Sequence, residues 1–171
     1  GSRHADNPGR LLRWSLGGEL QAYVDYAHNP DGLGQLLGLV RQAHRDGGRL
    51  HLLLGQAGNR SDEASADLAA TAAAHRPDRV VLKDMEGYMR GRESGAVARL
   101  LRESLASHGV AGEAVVECLD ETEAARMILA DARPGDSLVL PVHNAASRAR
   151  VTDLLDRLQA QGWMPGQPLP E

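Results

Sequence analysis

The sequence predicts an α/β fold with a mainly parallel sheet, helices on both faces and an antiparallel hairpin at its N-terminal end. After an opening pair of strands, short apolar strands and helices alternate four times along the chain. This order is typical of parallel strands joined by right-handed crossovers. The sequence contains no internal repeat, no low-complexity tract and no sign of a second domain.

The opening hairpin and the first helix have clear local signals. Residues 11–16 alternate apolar and polar side chains, as a half-buried strand does, and Gly17-Gly18 is a hairpin turn signal before a return strand at 20–24. Pro30 begins a helix, and Gly47-Gly48 ends it. Its apolar stripe has i, i+3, i+4, i+7 spacing and comprises Leu33, Leu36, Leu37 and Val40.

The later elements repeat the strand-then-helix order. Strands are expected at 50–54, 79–83, 114–119 and 137–142, and helices at 62–75, at 95–108, from 121 to just before Pro134, and in a final segment that Gly162 closes. Asp120, with Glu123 three residues on, is a variant capping box that begins the third of these helices. The segment 84–95 lacks apolar periodicity, so we interpret it as a long functional loop.

Length and composition narrow the class of protein. The 171 residues favour one domain, and the net charge of −4 weighs against a nucleic-acid-binding protein. No apolar run approaches the roughly 20 residues of a membrane span, so no membrane partner is expected. Cys118 is the only cysteine, which fits a reducing cytoplasm. We expect a tag remnant and linker at 1–5, a domain at 6–162 and a loose tail at 163–171.

Polar residues at strand ends are the candidate site, because open α/β sheets bind ligands there. The stretch Val24-Asp25-Tyr26-Ala27-His28-Asn29-Pro30 could place Asp25 on ribose hydroxyls, with His28 and Asn29 beside a base. In the alternative interpretation, Asp25 and Asn29 satisfy backbone donors, and Asn29 caps the helix. Spacing alone favours the capped turn. The sequence shows no cluster of residues with the spacing of metal ligands.

Two further loops carry candidate anion-binding groups. The run Gly55-x-x-Gly58-Asn59-Arg60 before a helix could bind an anion, although it lacks the Gly-Lys-Ser/Thr ending of a P-loop. Arg90 and Arg92 could clamp a carboxylate or phosphate, or could simply be solvated. Lys83, at a strand end, is equally open to both interpretations.

Taken together, these stretches resemble the C-terminal, glutamate ligase domain of the Mur ligase superfamily. The resemblance rests on Asn7-Pro8-Gly9-Arg10, the Asp25–Pro30 motif, the Gly55–Asp62 loop, the Asp84–Arg92 loop and Pro134-Gly135-Asp136. It implies a Rossmann-like three-layer sandwich in an ATP-dependent, ADP-forming ligase that joins an amino acid or peptide to a carboxylate. The family forms an acyl phosphate, which an amine then attacks.

The resemblance also implies residue roles. Arg10, Asp25, His28 and Asn29 would contact the nucleotide. The incoming amino acid would face Gly58, Asn59, Arg60, Asp84, Arg90 and Arg92. No catalytic residue is implied for this chain. ATP and Mg²⁺ would be held mainly by a central P-loop domain outside this sequence, which with the N-terminal domain would be a partner of this one. The fragment alone should therefore be inactive.

Departures from the family pattern bear on the substrate. Ligases that add diaminopimelate or lysine usually carry Asp-Asn-Pro-Arg where this chain has Lys83-Asp84-Met85-Glu86, and Gly-Lys-Gly-His-Glu where it has Pro141-Val142-His143-Asn144-Ala145. Arg90-Gly91-Arg92 is more similar to cyanophycin synthetase-type ligases. A non-catalytic Rossmann-like module that binds a nucleotide or a partner is the alternative.

Overall fold

The structure is a computed structural model that describes residues 11–56, 61–84 and 95–171. The strands are β1 (Leu12–Leu16), β2 (Leu20–Asp25), β3 (Leu50–Leu54), β4 (Arg79–Leu82), β5 (Val115–Glu117) and β6 (Ser137–Pro141). The helices are α1 (Pro30–Ala43), α2 (Asp62–Ala74), α3 (Ala96–Ser107), α4 (Glu121–Asp131) and α5 (Ala145–Ala160). None of the helices in the described ranges is both long and apolar enough to cross a membrane.

The six strands form one sheet in the order β1-β2-β6-β3-β4-β5. Strand β1 pairs with β2 in antiparallel register, and every other pair is parallel. The predicted mixed sheet with an N-terminal hairpin is therefore confirmed. Strand β6 comes last in the chain but lies between β2 and β3, with Asp25 opposite Pro141. This insertion brings the end of β6 beside the turn that follows β2.

Helices cover both faces of the sheet, which confirms the three-layer arrangement. The apolar side chains of α1, α2 and α3 form one buried cluster with the sheet face that carries Leu52, Val80 and Val139. Those of α4 and α5 form a second cluster with the opposite face, which carries Leu53, Val81 and Leu140. Adjacent residues of one strand point to opposite faces, so each central strand contributes to both cores.

Two elements differ from the sequence prediction at their ends. Helix α1 ends at Ala43, before the Gly47-Gly48 pair that was expected to end it. Strand β5 has three residues instead of the six predicted at 114–119, since Ala114 belongs to a 3₁₀ turn at Gly112–Ala114 and the strand ends at Glu117. Cys118 follows this short strand and is half-buried against the core, where burial raises the pKa of its thiol.

The expectation of a loose tail at 163–171 is wrong. Trp163 is only 4% exposed and packs into the core beneath α5. Its backbone carbonyl accepts a hydrogen bond from Gly17 N, and its indole Nε1 donates to Gln167 O at 3.1 Å. Leu169 also packs against this core. The three prolines of the segment indicated a loop, but burial of the indole holds that loop on the domain.

A buried polar network occupies the edge of the sheet where β3 and β6 begin. Asp136 accepts hydrogen bonds from Arg49 N at 2.8 Å, from His51 Nε2 at 2.8 Å and from Arg133 N at 2.9 Å. Burial raises the pKa of Asp136, but these bonds outweigh it and leave the pKa below its ordinary value. This network lies at the amino-terminal ends of the parallel strands, whereas the candidate site lies at their carboxyl ends.

Candidate functional site

The candidate site lies at the edge where the parallel strands end. Strand β2 leads into α1 on one face of the sheet, whereas its neighbour β6 leads into α5 on the other face. Ligands bind in open α/β sheets at such a switch point, outside the carboxyl ends of the strands. A narrow crevice lies here, and its lining includes Ala27, His28, Gly55, Pro141 and His143.

The turn that follows β2, residues 25–29, is a capped turn. Asp25 Oδ2 accepts a hydrogen bond from Ala27 N at 3.2 Å, and Asn29 Oδ1 accepts one from Gly32 N at 2.8 Å at the start of α1. The capping interpretation of Asp25 and Asn29 is therefore confirmed. His28 and Asn29 remain exposed, so their outer surfaces are open to a ligand. Capping and binding are compatible here.

Asp25 is half-buried at the root of this turn. Burial raises the pKa of its carboxyl above the ordinary value, and hydrogen bonds from the backbone of Tyr26 and Ala27 and the charge of Arg148 oppose that rise. Arg148 lies on α5, so the helix that follows β6 places a positive charge near the carboxylate that ends β2. A half-buried carboxylate of this kind can accept hydrogen bonds from hydroxyl groups.

Beside the turn lies a buried network that sequence reasoning missed. Lys83 has no exposed surface, and its Nζ donates to the carboxylate of Glu121, to Pro141 O at 2.6 Å and to His143 Nδ1 at 3.0 Å. Glu121 begins α4, and Pro141 and His143 lie at the end of β6. All three protons of the ammonium group thus have acceptors, which a buried charge requires.

Glu121 connects this network to the start of α5. Its two carboxylate oxygens accept hydrogen bonds from His143 N and Asn144 N, both at 2.9 Å. Asn144 in turn caps α5, accepting from Ser147 N at 3.0 Å. The first residue of α4 therefore fixes the backbone turn between β6 and α5.

His143 connects the network to the turn at 25–29. Its ring Nε2 lies 2.7 Å from Ala27 O, and a carbonyl can only accept, so Nε2 carries the proton and donates. Its Nδ1 then accepts from Lys83, which fixes a single neutral tautomer. The ring also packs edge-to-face against Tyr26 and His28, with centroids 5.5 and 6.3 Å away.

Burial perturbs both titratable bases of the network. Burial lowers the pKa of Lys83 to about 8, and the nearby Glu121 carboxylate opposes that shift. Burial, together with the charge of Lys83, lowers the pKa of His143 to about 4. At neutral pH the cluster therefore holds a charged lysine beside an uncharged imidazole.

The remaining predicted site residues fall into two groups. Asp84 is buried, and its carboxylate accepts from Gly95 N at 3.2 Å, so it lies at the start of α3. The other predicted residues lie outside the part of the chain that the structure describes, and these are Arg10, Gly58, Asn59, Arg60, Arg90 and Arg92. Within the described ranges, no three His, Cys, Asp or Glu side chains are grouped so as to hold a metal ion.

Comparison with known proteins gives this fold a family. The family model described as Mur ligase, glutamate ligase domain, matches residues 9–141. The UDP-N-acetylmuramoyl-L-alanyl-D-glutamate--2,6-diaminopimelate ligase of Corynebacterium glutamicum is 32% identical over 137 residues, covering 78% of this chain and 25% of that protein. The Acidovorax enzyme of the same name is 30% identical over 134 residues, covering 78% of this chain and 25% of the enzyme. The chain thus spans about a quarter of the length of these relatives.

Solved structures show the same fold. A structure titled as a UDP-N-acetylmuramoyl-L-alanyl-D-glutamate--2,6-diaminopimelate ligase superposes with a TM-score of 0.64 at 21% identity, covering 88% of this chain and 32% of that one. E. coli FolC in complex with ADP superposes with a TM-score of 0.61 at 21% identity, covering 90% and 32%. In both comparisons this chain matches about a third of a longer protein.

Proposed function

This chain belongs to the Mur ligase glutamate ligase domain family, and from that premise we propose that it is the C-terminal domain of an ATP-dependent, amide-forming ligase. In the proposed reaction a substrate carboxylate attacks the γ-phosphate of ATP and releases ADP. An amine then attacks the acyl phosphate and releases inorganic phosphate. The domain would close over ATP and position the incoming amino acid.

The capped turn at the switch point is the observation that carries the proposal. Asp25, half-buried there, would accept hydrogen bonds from the ribose. The exposed ring of His28 and the exposed amide of Asn29 would lie beside the adenine. The family resemblance adds Arg10 to this nucleotide site. A domain elsewhere in the protein would hold most of ATP and Mg²⁺, so we propose that this chain alone is inactive.

The names of similar proteins support the use of ATP. Solved structures of similar fold are titled as complexes with ADP, with AMPPCP, and with AMPPNP and a Mn ion. Because those proteins are about 20% identical to this chain, their titles support the nucleotide class and do not define a substrate.

Two substrate classes have specific support. Relatives of at least 30% identity include enzymes named as diaminopimelate- and lysine-adding ligases, which favours an acceptor of the UDP-N-acetylmuramoyl-L-alanyl-D-glutamate type. The Arg90-Gly91-Arg92 motif and the absence of Asp-Asn-Pro-Arg at 83–86 favour a cyanophycin synthetase-type substrate instead. Asp84, Arg90 and Arg92, with Gly58, Asn59 and Arg60, are the proposed amino-acid contacts in either case, since arginine pairs bidentately with a carboxylate.

The test uses the full-length gene product with ATP, Mg²⁺ and a panel of acceptors and amino acids, including diaminopimelate and lysine. We expect ADP and phosphate release that depends on both an acceptor and an amino acid. In Asp25→Ala and Arg10→Ala variants the KM for ATP should rise. If no ADP is released with any pair of acceptor and amino acid, the ligase proposal is refuted. If the ATP kinetics of both variants are unchanged, the site assignment is refuted.

A non-catalytic nucleotide- or partner-binding module is the competing proposal. It is favoured by the lack of a Gly-Lys-Ser/Thr P-loop in these 171 residues. The native gene sequence before Gly1 separates the two. A P-loop there supports the ligase, and a gene without one supports the module. Calorimetry of this chain with ATP would add a direct measure of its own nucleotide affinity.

A further inference from the structure

We propose that His143, held in one tautomer by Lys83, is a positioning residue for the turn at 25–29 and, through that turn, for the bound nucleotide. The second half of this inference rests on the proposed function, and the first half rests on geometry alone. His143 is 5% exposed and lies at the end of β6, directly beside the end of β2.

The first step is the hydrogen bond to the turn. Ala27 lies between Asp25 and His28, two of the proposed nucleotide contacts, and its carbonyl accepts from His143 Nε2 at 2.7 Å. The Ala27 amide is held at the same time by Asp25 Oδ2. Both polar groups of this peptide residue are thus fixed, one by the turn itself and one by His143.

The second step is the control of the tautomer. A neutral histidine that donates from Nε2 has a lone pair at Nδ1, which can accept a hydrogen bond. The Lys83 ammonium donates to Nδ1, and it is fixed by its bonds to Glu121 and Pro141 O. Lys83 therefore acts on the carbonyl of Ala27 through the imidazole between them, which is why we assign both residues a positioning role.

The third step is the packing of the rings. Tyr26 and His28 each contact the His143 ring edge-to-face, and each contacts the other with centroids 6.0 Å apart. The buried imidazole therefore supports the two exposed rings of the turn by direct packing. A change in its position would move His28 relative to Asp25, and small displacements of binding groups are costly.

Two substitutions separate positioning from general stability. His143→Asn places an amide near the position of Nδ1, so it keeps an acceptor for Lys83 but cannot reach Ala27 O. His143→Gln reaches further and can place an N–H near the position of Nε2. The matched control is His51→Asn, because His51 is also a buried histidine with a ring hydrogen bond, but it lies at the other end of the strands, next to Asp136.

The first measurement is steady-state kinetics of the full-length ligase. We expect His143→Asn to raise the KM for ATP about tenfold, the equivalent of one lost hydrogen bond, with little change in kcat. His143→Gln should recover most of that loss, and His51→Asn should leave the KM for ATP unchanged. A KM unchanged in His143→Asn, or raised equally in His51→Asn, would overturn the role in nucleotide binding.

The second measurement needs no activity and uses this chain. Nitrogen-15 shifts of the His143 ring should show the Nε2-protonated tautomer, and a Lys83→Met variant should move the Nδ1 resonance, because it removes the hydrogen bond to that nitrogen. Amide hydrogen exchange at residues 26–28 should accelerate in His143→Asn but not in His51→Asn. If exchange at the turn does not respond to His143→Asn, the positioning itself is refuted. If the wild-type ligase is inactive, the proposed function fails while this second measurement still decides the positioning.

Discussion

Lys83 and His143 make a hydrogen bond across a strand that lies between them. Lys83 follows β4 and His143 follows β6, and β3 separates these two strands in the sheet. Lys83 Nζ nevertheless reaches His143 Nδ1 at 3.0 Å, because the residue that follows the intervening strand is Gly55, which has no side chain. A Cβ at Gly55 would lie 2.9 Å from Lys83 Cγ and 3.0 Å from Lys83 O.

Gly55→Ala is expected to destabilise the domain and to weaken the Lys83 network. The added methyl group would contact both the side chain and the backbone of Lys83, and overpacking of this kind costs about 1–3 kcal/mol. Urea unfolding at pH 7 measures the loss. Gly38→Ala is the control, since nothing lies within 4 Å of its Cβ position in α1 and the change should stabilise the helix by about 0.5–1 kcal/mol. Equal effects of the two substitutions would contradict the steric argument.

Lys83→Met should lower the free energy of unfolding by about 3–5 kcal/mol, because it leaves the Glu121 carboxylate as an uncompensated buried charge. The double variant Lys83→Met/Glu121→Gln removes that charge and should recover part of the loss. Urea unfolding of Lys83→Met, of Glu121→Gln and of the double variant gives the coupling energy between the two side chains. A double variant less stable than Lys83→Met would show that the charge of Glu121 is not what destabilises the single variant.

The domain should lose stability between pH 6.5 and about pH 4 through His143. The pKa of His143 falls from an ordinary 6.5 to about 4 in the folded protein, so the unfolded chain binds more protons in this window. Stability is therefore fully present above pH 6.5 and is lost as the pH falls, by up to about 3 kcal/mol. Unfolding measured across this range for wild type and His143→Gln isolates the effect from His51, whose pKa is also lowered by burial. If the free energy of unfolding changes with pH in the same way in the two proteins, the loss of stability is not due to His143.

Substitutions of Asn29 should separate its cap from its proposed contact with the nucleotide. Asn29→Ala removes the acceptor for Gly32 N and should cost about 1 kcal/mol of stability. Asn29→Ser keeps a capping oxygen and should cost less, but it has no amide to reach a base. We therefore expect both variants to raise the KM of the full-length ligase for ATP. If Asn29→Ser restores stability and KM together, Asn29 is only a cap.

Local sequence patterns predicted most of the fold and, within the candidate site, the turn that follows β2. Alternation gave β1, the apolar stripe gave α1, and the polar residues after β2 marked the turn with its cap at Asn29. These features depend on residues near one another in sequence, for which periodicity and capping chemistry are direct signals.

The Lys83 network could not be predicted in the same way. Its partners Glu121 and His143 are 38 and 60 residues from Lys83, and they meet only because β6 inserts between β2 and β3. Strand order of this kind is not encoded in periodicity. One signal was available, since the only lysine of the sequence directly follows an apolar strand. Trp163 gave a comparable signal, a large aromatic residue in a segment otherwise typical of a loop.

Because Lys83 is buried, its reactivity can report local unfolding of the domain around this side chain. The sequence has no other lysine, and in the folded domain the side chain of Lys83 has no surface that an acylating reagent can reach. Side-chain acylation must await exposure of Lys83, and its rate at low reagent concentration should track the population of opened molecules. Mass spectrometry of the labelled peptide would then report opening of this sheet edge. Nucleotide bound at the neighbouring turn should slow the labelling.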